Sequence, residues 1–361
     1  MKPLYAGLFA IVALAACAPE APEQSELGAA TNEGAESAIE TTDAGDETEA
    51  DMATAQAPDW RIVIHGGAGV ILREDLSDEQ EAAYRAALET SLQAGADILS
   101  DGGSSLDAVQ AAVLTMEDDP LFNAGYGAVM TAEGIHELDA SIMEGSNRDA
   151  GSVAGVTRVK NPILAARAVM DQSEHVMFAG EGADSFAESV GLELVENSYF
   201  TTERRREALE RVLETRERTD ADRHGTVGAV AIDQNGNLAA ATTTGGMTAK
   251  MHGRIGDAPL IGAATYAENG VCAVSATGHG EYFIRVGVAK TICSRVELAG
   301  EDIETAADNA LGQVADLGGD GGVIVMGGEG QYAYVFNSKG MYRGMMDADG
   351  GLETAIFGPE E

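Results

Sequence analysis

The stretch Arg223-His224-Gly225-Thr226-Val227-Gly228 marks an abrupt change of pattern along the chain. Before it, residues 202–223 mix arginines with acidic side chains, which predicts a solvated helix or a mobile linker and not core. After it, residues 226–232 (TVGAVAI) and 238–244 (LAAATTT) are apolar runs. They flank the Asn-Gly pair at 235–236, and Asn-Gly between apolar runs is typical of a β-hairpin. The sequence therefore predicts a buried hairpin that begins at Thr226.

The Gly225-Thr226 bond is a candidate site of self-cleavage. An internal threonine hydroxyl has no base of its own. If the bond before Thr226 is cut, the new α-amino group lies beside that hydroxyl and has an unperturbed pKa of about 7.7–8.0, so it can act as a general base. Gly225 tolerates unusual backbone geometry and leaves its carbonyl open. Taken alone, Gly-Thr at a strand start is more often a simple turn.

Three downstream stretches carry further candidates. A threonine within 242–248 (TTTGGMT) can present its hydroxyl to Thr226, although the β-propensity of threonine also explains these residues. Arg254 and Asp257 lie in a glycine-bearing loop, where an arginine fork can hold a carboxylate and an aspartate an ammonium; the alternative is a surface ion pair. Residues 276–281 (ATGHGE) join a strand to a helix, and backbone N–H groups there can form an oxyanion hole.

The remaining patterns predict buried strands alternating with helices. Arg61 to His65 reads as a strand that stops at a glycine turn, Gly66 to Gly69. Further strands are predicted at 152–158, 271–277, 323–326 and 332–336, and helices at 78–99, 104–116, 163–170, 281–297 and 301–316. Because the strands carry no polar face, the sheets should be covered by helices, which makes the fold class α/β.

The composition excludes some classes of partner. With a net charge of −38, the surface repels phosphate backbones, so nucleic acid is not expected as a partner. The three cysteines, Cys17, Cys272 and Cys293, show no metal-ligand spacing. Cys272 and Cys293 lie in apolar stretches, which favours buried free thiols over a disulfide.

The N-terminus predicts export and a lipid anchor. Residues 1–16 have a lysine followed by an uncharged apolar stretch, and Leu14-Ala15-Ala16-Cys17 resembles a bacterial lipoprotein cleavage box. The alternative is an ordinary secretory signal with a coincidental cysteine. Residues 17–58 follow as an acidic segment, predicted to be a disordered tether, and the folded domain is predicted over 59–361. We therefore expect a protein of the bacterial cell envelope, anchored through Cys17.

Several motifs in the same order resemble one known family. They are HGGAG at 65–69, PLFNAG at 120–125, HELDA at 136–140, GTVGAVA at 225–231, TTTGGMT at 242–248, GRIGD at 253–257 and ATGHGE at 276–281. Together they are similar to the plant-type asparaginase/isoaspartyl peptidase family of N-terminal nucleophile hydrolases. The resemblance covers roughly residues 60–358 and is much more specific than any single motif.

The resemblance implies a four-layer αββα sandwich, cleaved into an α subunit ending at Gly225 and a β subunit, 226–361, which pair again into an (αβ)₂ dimer. It implies hydrolysis of β-aspartyl dipeptides and L-asparagine. By the same resemblance, Thr226 is the nucleophile and Thr244 is its hydrogen-bond partner. Arg254 and Asp257 are implied to bind the α-carboxylate and the α-ammonium of the substrate, and Thr277 and Gly278 to form the oxyanion hole. Gly280 is implied to line the pocket, with Asn123 and the Gly66-Gly67 turn near the site. The family often holds a structural sodium ion on backbone carbonyls of the loop around Glu117 to Tyr126; no other cofactor is implied.

Two residues depart from the pattern expected in many relatives. His279 stands where a small or acidic residue is common, which puts substrate size and pH response in doubt, and Ala258 stands where serine is common. A catalytic role for His279 is the alternative, but the Thr226 amine already supplies a base, so His279, His65 and His224 are interpreted as structural. Two alternatives to the implied activity stay open: a glycosylasparaginase-type amidase, and a non-catalytic, lipid-anchored amino-acid-binding protein that uses Arg254 and Asp257.

Overall fold

The computed structural model describes residues 59–69, 71–217 and 225–358, which all belong to one compact unit. The predictions for the signal segment, Cys17, the tether and His224 lie outside the described residues. The strands are, in chain order, β1 (Arg61–Gly69), β2 (Leu138–Glu144), β3 (Ala150–Val156), β4 (Met177–Ala179), β5 (Val227–Ile232), β6 (Leu238–Thr244), β7 (Thr265–Glu268), β8 (Cys272–Gly278), β9 (Gly321–Gly327), β10 (Tyr332–Phe336), β11 (Gly340–Asp347) and β12 (Leu352–Phe357). The helices are α1 (Asp78–Ser100), α2 (Ser105–Glu117), α3 (Pro162–Gln172), α4 (Gly180–Ser189), α5 (Glu203–Thr215), α6 (Gly280–Val286), α7 (Val288–Ser294) and α8 (Ile303–Asp316).

The strands form two sheets. The large sheet has the order β12-β11-β1-β5-β6-β2-β3-β4, and the small sheet has the order β10-β9-β8-β7. Neighbouring strands are antiparallel except for β3 and β4. The hairpin β5–β6, which follows Thr226, thus lies between β1 and β2, which both precede Thr226.

Side-chain alternation along the strands divides the interior into two cores. On β1, Ile62 and Ile64 pack with helices α1 to α3, whereas Val63 packs between the sheets. Val227 and Val230 of β5 divide in the same way, because successive side chains point to opposite faces. Helices α7 and α8 cover the other side of the small sheet. The layers are therefore helix, sheet, sheet and helix, which confirms the predicted αββα sandwich.

Most of the local predictions are confirmed, with shifted boundaries. The hairpin is present, with Val227 paired with Thr243 and Ile232 with Leu238. Strand β1 continues through the predicted glycine turn, and its register shifts between His65 and Gly67. The single helix predicted at 281–297 is instead broken at Gly287, which adopts the left-handed conformation.

The segment before Thr226 is more ordered than the charge pattern predicts. Within it, α5 buries Leu209 and Val212 against Met130 and Ala249. The expectation that this segment lies outside any core was therefore wrong for α5. Two apolar side chains one turn apart suffice to dock a helix that is otherwise charged.

The prediction of free thiols at Cys272 and Cys293 was wrong, because the two residues form a disulfide. Cys272 begins β8, and Cys293 lies on α7, which packs on that strand. The sequence shows only a separation of 21 residues and gives no sign of this packing. Among the described helices, none combines the length and apolar character needed to cross a membrane.

Candidate active site

Thr226 lies immediately before β5, buried beside the end of β6. The pairing of Val227 with Thr243 brings Thr226 next to Thr244, the last residue of β6. The hydroxyl of Thr226 donates to the hydroxyl of Thr244 over 3.3 Å. The N–H of Gly246 donates to the same Thr244 oxygen over 3.0 Å, which fixes that oxygen in place. The hairpin thus presents a buried threonine hydroxyl at the end of a rigid strand.

The peptide before Thr226 is enclosed by residues far away in sequence. Gly225 has φ of +140°, and a β-carbon built on it would lie 2.9 Å from the Cβ of Asn123. Asn123 is held on both sides, because its Nδ2 donates to the Gly246 carbonyl and its Oδ1 accepts from the Val129 N–H. Any side chain at 225 would therefore be excluded by strain and by contact.

Thr277 and Gly278 end β8 close to the same peptide. The N–H of Ala68 donates to the Thr277 hydroxyl over 3.3 Å. Ala68 follows Gly67, and a β-carbon on Gly67 would lie 2.8 Å from the α-carbon of Gly225. This chain of contacts links the end of β8 to the Gly225-Thr226 peptide. The oxyanion hole assigned to Thr277 and Gly278 stays a prediction.

A charged group, Arg254 with Glu281 and Asp257, lies close to Gly246 and Gly280. Arg254 donates from Nε and Nη2 to the two carboxylate oxygens of Glu281, each over 2.9 Å. Asp257 is buried, and its Oδ2 has no hydrogen-bond partner. Burial raises the pKa of Asp257 to about 7, although the charge of Arg254 opposes the shift. A β-carbon on Gly280 would lie 2.8 Å from Asp257 Oδ1 and 3.0 Å from Arg254 Nη2, so Gly280 leaves this pair open.

Gly246 connects the two groups. Its N–H contacts Thr244 and its carbonyl accepts from Asn123. A β-carbon on Gly246 would lie 3.5 Å from Arg254 Nη1. The structure therefore brings Thr244, Asn123 and Arg254 together around Gly246, with Thr226 next to Thr244. The hydroxyl belongs to a nucleophile candidate, and the charged pair suits the two ends of an amino acid.

Buried polar residues behind this site had no predicted role. Lys250 donates to the Glu137 carbonyl over 2.8 Å, and Asp139 accepts from the Gly155 N–H over 2.8 Å. Burial lowers the pKa of Lys250, and burial raises the pKa of Asp139. Asp139 pairs with Thr244 across the strands. Asp139 and Glu137 belong to the HELDA motif, which was the available signal.

Of the histidines interpreted as structural, His65 and His279 lie in the described residues, and His65 is buried. Its Nε2 lies 2.9 Å from the Ser275 hydroxyl. Burial lowers the pKa of His65 to about 3, although the backbone of Thr226 raises it, so the ring is neutral near neutral pH. His279 precedes α6, where its Nε2 lies 3.5 Å from a carboxylate oxygen of Glu281. At the other departure, Ala258 is buried and its carbonyl accepts from Ser141.

The carbonyls of the loop around Glu117 to Tyr126 serve protein donors. Arg204 donates to the carbonyls of Pro120 and Leu121, and the Tyr126 N–H donates to that of Glu117. The carbonyls of Glu117 and Pro120 each keep a second lone pair that a cation could use, whereas the Leu121 carbonyl also accepts from the Tyr84 hydroxyl. The sodium site stays a prediction. In the described ranges, no group of three or more His, Cys, Asp or Glu side chains could hold a metal ion.

Comparison with known proteins matches nearly the whole described chain. A family model described as "Asparaginase" covers residues 58–356. The isoaspartyl peptidase of Salmonella typhimurium is 46% identical over 306 residues, covering 82% of this chain and 98% of that protein. The isoaspartyl peptidase of Escherichia coli is 46% identical over 309 residues, covering 82% of this chain and 95% of that protein. The isoaspartyl peptidase/L-asparaginase of Homo sapiens is 41% identical over 285 residues, covering 78% of this chain and 91% of that protein.

Proposed function

Because this chain belongs to the asparaginase family and is therefore an amidohydrolase, we propose that it cleaves β-aspartyl peptides and L-asparagine by attack of the Thr226 hydroxyl. The relatives from bacteria and animals bear the names isoaspartyl peptidase or isoaspartyl peptidase/L-asparaginase. Neither the glycosylasparaginase alternative nor the non-catalytic binding protein is favoured by these relatives.

One observation carries the assignment of the nucleophile. The Thr226 hydroxyl lies 3.3 Å from that of Thr244, and the peptide before Thr226 is packed between Gly67 and Asn123. A plain turn at the start of a strand needs neither a buried hydroxyl pair nor two close contacts with distant residues. The arrangement supports a reactive Gly225-Thr226 bond.

Maturation comes first in the proposed sequence. Thr226 Oγ1 attacks the Gly225 carbonyl carbon, its proton passes to the departing nitrogen, and the C–N bond breaks. The acyl group thereby moves from nitrogen to oxygen and forms an ester. Water then hydrolyses the ester, which releases a carboxylate at Gly225 and a free amine and hydroxyl on Thr226.

Substrate hydrolysis uses the same hydroxyl. The Thr226 amine takes the hydroxyl proton while Oγ1 attacks the side-chain amide carbon of the aspartyl group. Donors near Thr277 and Gly278 stabilise the oxyanion, and such a donor is typically worth roughly 3–4 kcal/mol. The amine then gives its proton to the leaving group, which departs as ammonia or an amino acid. Water attacks the remaining ester and releases aspartate.

The substrate α-carboxylate and α-ammonium are assigned to Arg254 and Asp257. Arg254 supplies planar N–H donors that match a carboxylate. Asp257 has one buried oxygen without a partner, which suits an ammonium donor. Both charged groups on the aspartyl α-carbon are thus recognised, whether the leaving group is ammonia or an amino acid.

The test is intact mass and N-terminal sequencing of purified protein after incubation at neutral pH. We expect a fragment that begins Thr-Val-Gly-Ala-Val, together with hydrolysis of β-aspartyl-leucine and L-asparagine. Thr226→Ala should remain one inactive chain. Thr90→Ala is the matched control, since Thr90 is exposed on α1. A cleaved, active Thr226→Ala protein would end the proposal, and preferential cleavage of a glycosylated asparagine would favour the sugar-specific alternative.

We also propose that the protein is exported and held in the cell envelope by a lipid on Cys17. The Cys272–Cys293 disulfide supports export, because structural disulfides persist mainly in oxidising compartments. Membrane fractionation of the natural protein and of Cys17→Ser tests this. The natural protein should partition with membranes, and a membrane-bound Cys17→Ser protein would contradict the anchor. The processed heterodimers are proposed to pair into (αβ)₂, which light scattering can measure.

A further inference from the structure

The guanidinium of Arg254 has two edges, and the structure occupies one of them. Glu281 accepts from Nε and Nη2 with both carboxylate oxygens, each over 2.9 Å. A guanidinium carries five N–H donors, so a second carboxylate can still bind at the Nη1–Nη2 edge. The question is whether Glu281 blocks the substrate or orients the group that binds it.

The remaining edge lies next to Gly246. β-Carbons built on Gly246 and Gly256 would lie 3.5 and 2.7 Å from Nη1 of Arg254. The N–H of Gly246 is itself bonded to the Thr244 hydroxyl, the partner of Thr226. Nη1 therefore lies next to Gly246 and Gly256, which have no side chains, and Gly246 in turn contacts the hydroxyl partner of Thr226. Glu281 occupies the adjacent Nε–Nη2 edge.

The ion pair joins a half-exposed carboxylate to a largely buried guanidinium. The side chain of Glu281 is 46% exposed, whereas that of Arg254 is 15% exposed. Water reaches the pair from the Glu281 side and screens it there. A bidentate pair does, however, fix the orientation of a long and flexible arginine side chain.

We propose that Glu281 is a positioning residue, which holds the Nε–Nη2 edge of Arg254 and so turns the Nη1–Nη2 edge toward the substrate α-carboxylate. This inference rests on the proposed function, in which Arg254 binds that carboxylate. Glu281 stands on the first turn of α6, which follows Thr277 and Gly278. The same short segment therefore carries the predicted oxyanion donors and the residue that orients the carboxylate ligand.

The experiment compares two substrates in the matured enzyme. One is β-aspartyl-leucine, and the other is the same dipeptide with the aspartyl α-carboxyl converted to an amide. Glu281→Gln keeps the size of the side chain but removes its charge and one strong acceptor. We expect KM for the acid substrate to rise about tenfold while kcat changes little, because a charge-assisted bidentate contact is weakened. The preference in kcat/KM for the acid over the amide should fall by a similar factor.

Glu301→Gln is the matched control. Glu301 accepts from Nε and Nη2 of Arg295 over 2.8 and 2.7 Å in the same bidentate geometry, away from the site residues. This variant should keep the natural KM for both substrates. An unchanged preference in Glu281→Gln would show that Glu281 does not orient Arg254. A lowered KM for the acid would show that Glu281 competes with the substrate, which also overturns the proposal.

Cleavage of the Gly225–Thr226 bond distinguishes a failure of the Glu281 proposal from a failure of the proposed nucleophile. Glu281→Gln should mature to the fragment beginning at Thr226, as the natural protein does. A variant that matures normally but loses discrimination supports the role of Glu281. Absence of the fragment from the natural protein would instead contradict the proposed nucleophile.

Discussion

Gly67 packs against Gly225 so closely that a β-carbon on Gly67 would lie 2.8 Å from the Gly225 α-carbon. Gly67 also has φ of +111°, a backbone conformation that residues with a side chain rarely adopt. The bulged end of β1 therefore forms a wall for the peptide that is proposed to be cut. Both glycines are needed where the two backbones meet.

Gly67→Ala is expected to accumulate as an uncut chain, because the added methyl group displaces Gly225 from Thr226. The measurement is the fraction of cleaved protein on a denaturing gel over time. Gly102→Ala is the control, since Gly102 also has positive φ but nothing lies within 4 Å of its β-carbon position. Cleavage of Gly67→Ala at the natural rate would show that this contact does not position the bond.

The affinity for L-aspartate should depend on the protonation of Asp257. Burial raises the pKa of Asp257 to about 7, so below that pH the carboxyl is neutral and cannot pair with the α-ammonium. The affinity is expected to fall as pH decreases through about 7, approaching tenfold per pH unit. Calorimetric titration with L-aspartate measures the effect. Succinate, which lacks the ammonium, should not show this decrease, and parallel pH profiles for the two ligands would refute the role of Asp257.

Glu117 should make folding stability fall as pH rises. Burial raises the pKa of Glu117 to about 8, although hydrogen bonds from Thr243 and Ile163 lower it. In the unfolded chain Glu117 has its ordinary pKa of 4.5 and loses its proton above that pH, whereas the folded protein keeps the proton. The stabilisation from Glu117 is fully present below pH 4.5. As pH rises from 4.5 to about 8, the free energy of unfolding falls by about 1.4 kcal/mol per pH unit.

Glu117→Gln removes that dependence while keeping an acceptor for Thr243 and Ile163. The Tm difference between natural and variant proteins, measured at pH 5 and pH 8, should shift in favour of the variant at the higher pH. Glu89→Gln, at an exposed position on α1, is the control and should follow the natural protein. Identical pH profiles for Glu117→Gln and the natural protein would contradict a protonated, buried Glu117.

The Cys272–Cys293 disulfide closes a loop with a sequence separation of 21 residues. Restricting the unfolded chain in a loop of this size stabilises the fold by about 3 kcal/mol. Adding a reducing agent should therefore lower the Tm of the natural protein. A variant with both cysteines changed to alanine should be insensitive to the reductant. If the Tm of the natural protein were the same with and without reductant, the disulfide would not stabilise the fold.

The sequence predicted features that depend on nearby residues. The Asn-Gly pair specified the β5–β6 hairpin because it favours a tight turn between apolar runs. Apolar residues at helical spacing specified α1, and α2 begins after the serine cap Ser104. The order of the motifs specified the fold and the members of the site, and the structure brings Thr226, Thr244 and Asn123 together as expected.

Features that depend on distant packing were not predicted. Strand β11 is mixed in polarity, and only its pairing with β1 makes it part of the large sheet. Cys272 and Cys293 meet because α7 packs on β8, which no local pattern encodes. Arg254 and Glu281 both lie within recognised motifs, but their contact joins a loop to the first turn of α6 and is visible only in the folded chain.

Strands from both sides of Gly225 are interleaved in the large sheet, where β1 pairs with β5 and with β11. Neither piece of a cut chain can complete this sheet alone. The Cys272–Cys293 bridge joins two points on the same side of the cut and does not hold the pieces together. Once cleaved as proposed, the protein would unfold into two separate chains, and refolding would require them to meet. The melting temperature of the cleaved form would then rise with protein concentration, whereas that of a single uncut chain would not. A chain that cuts itself in this way folds once, in one piece, and afterwards depends on staying folded.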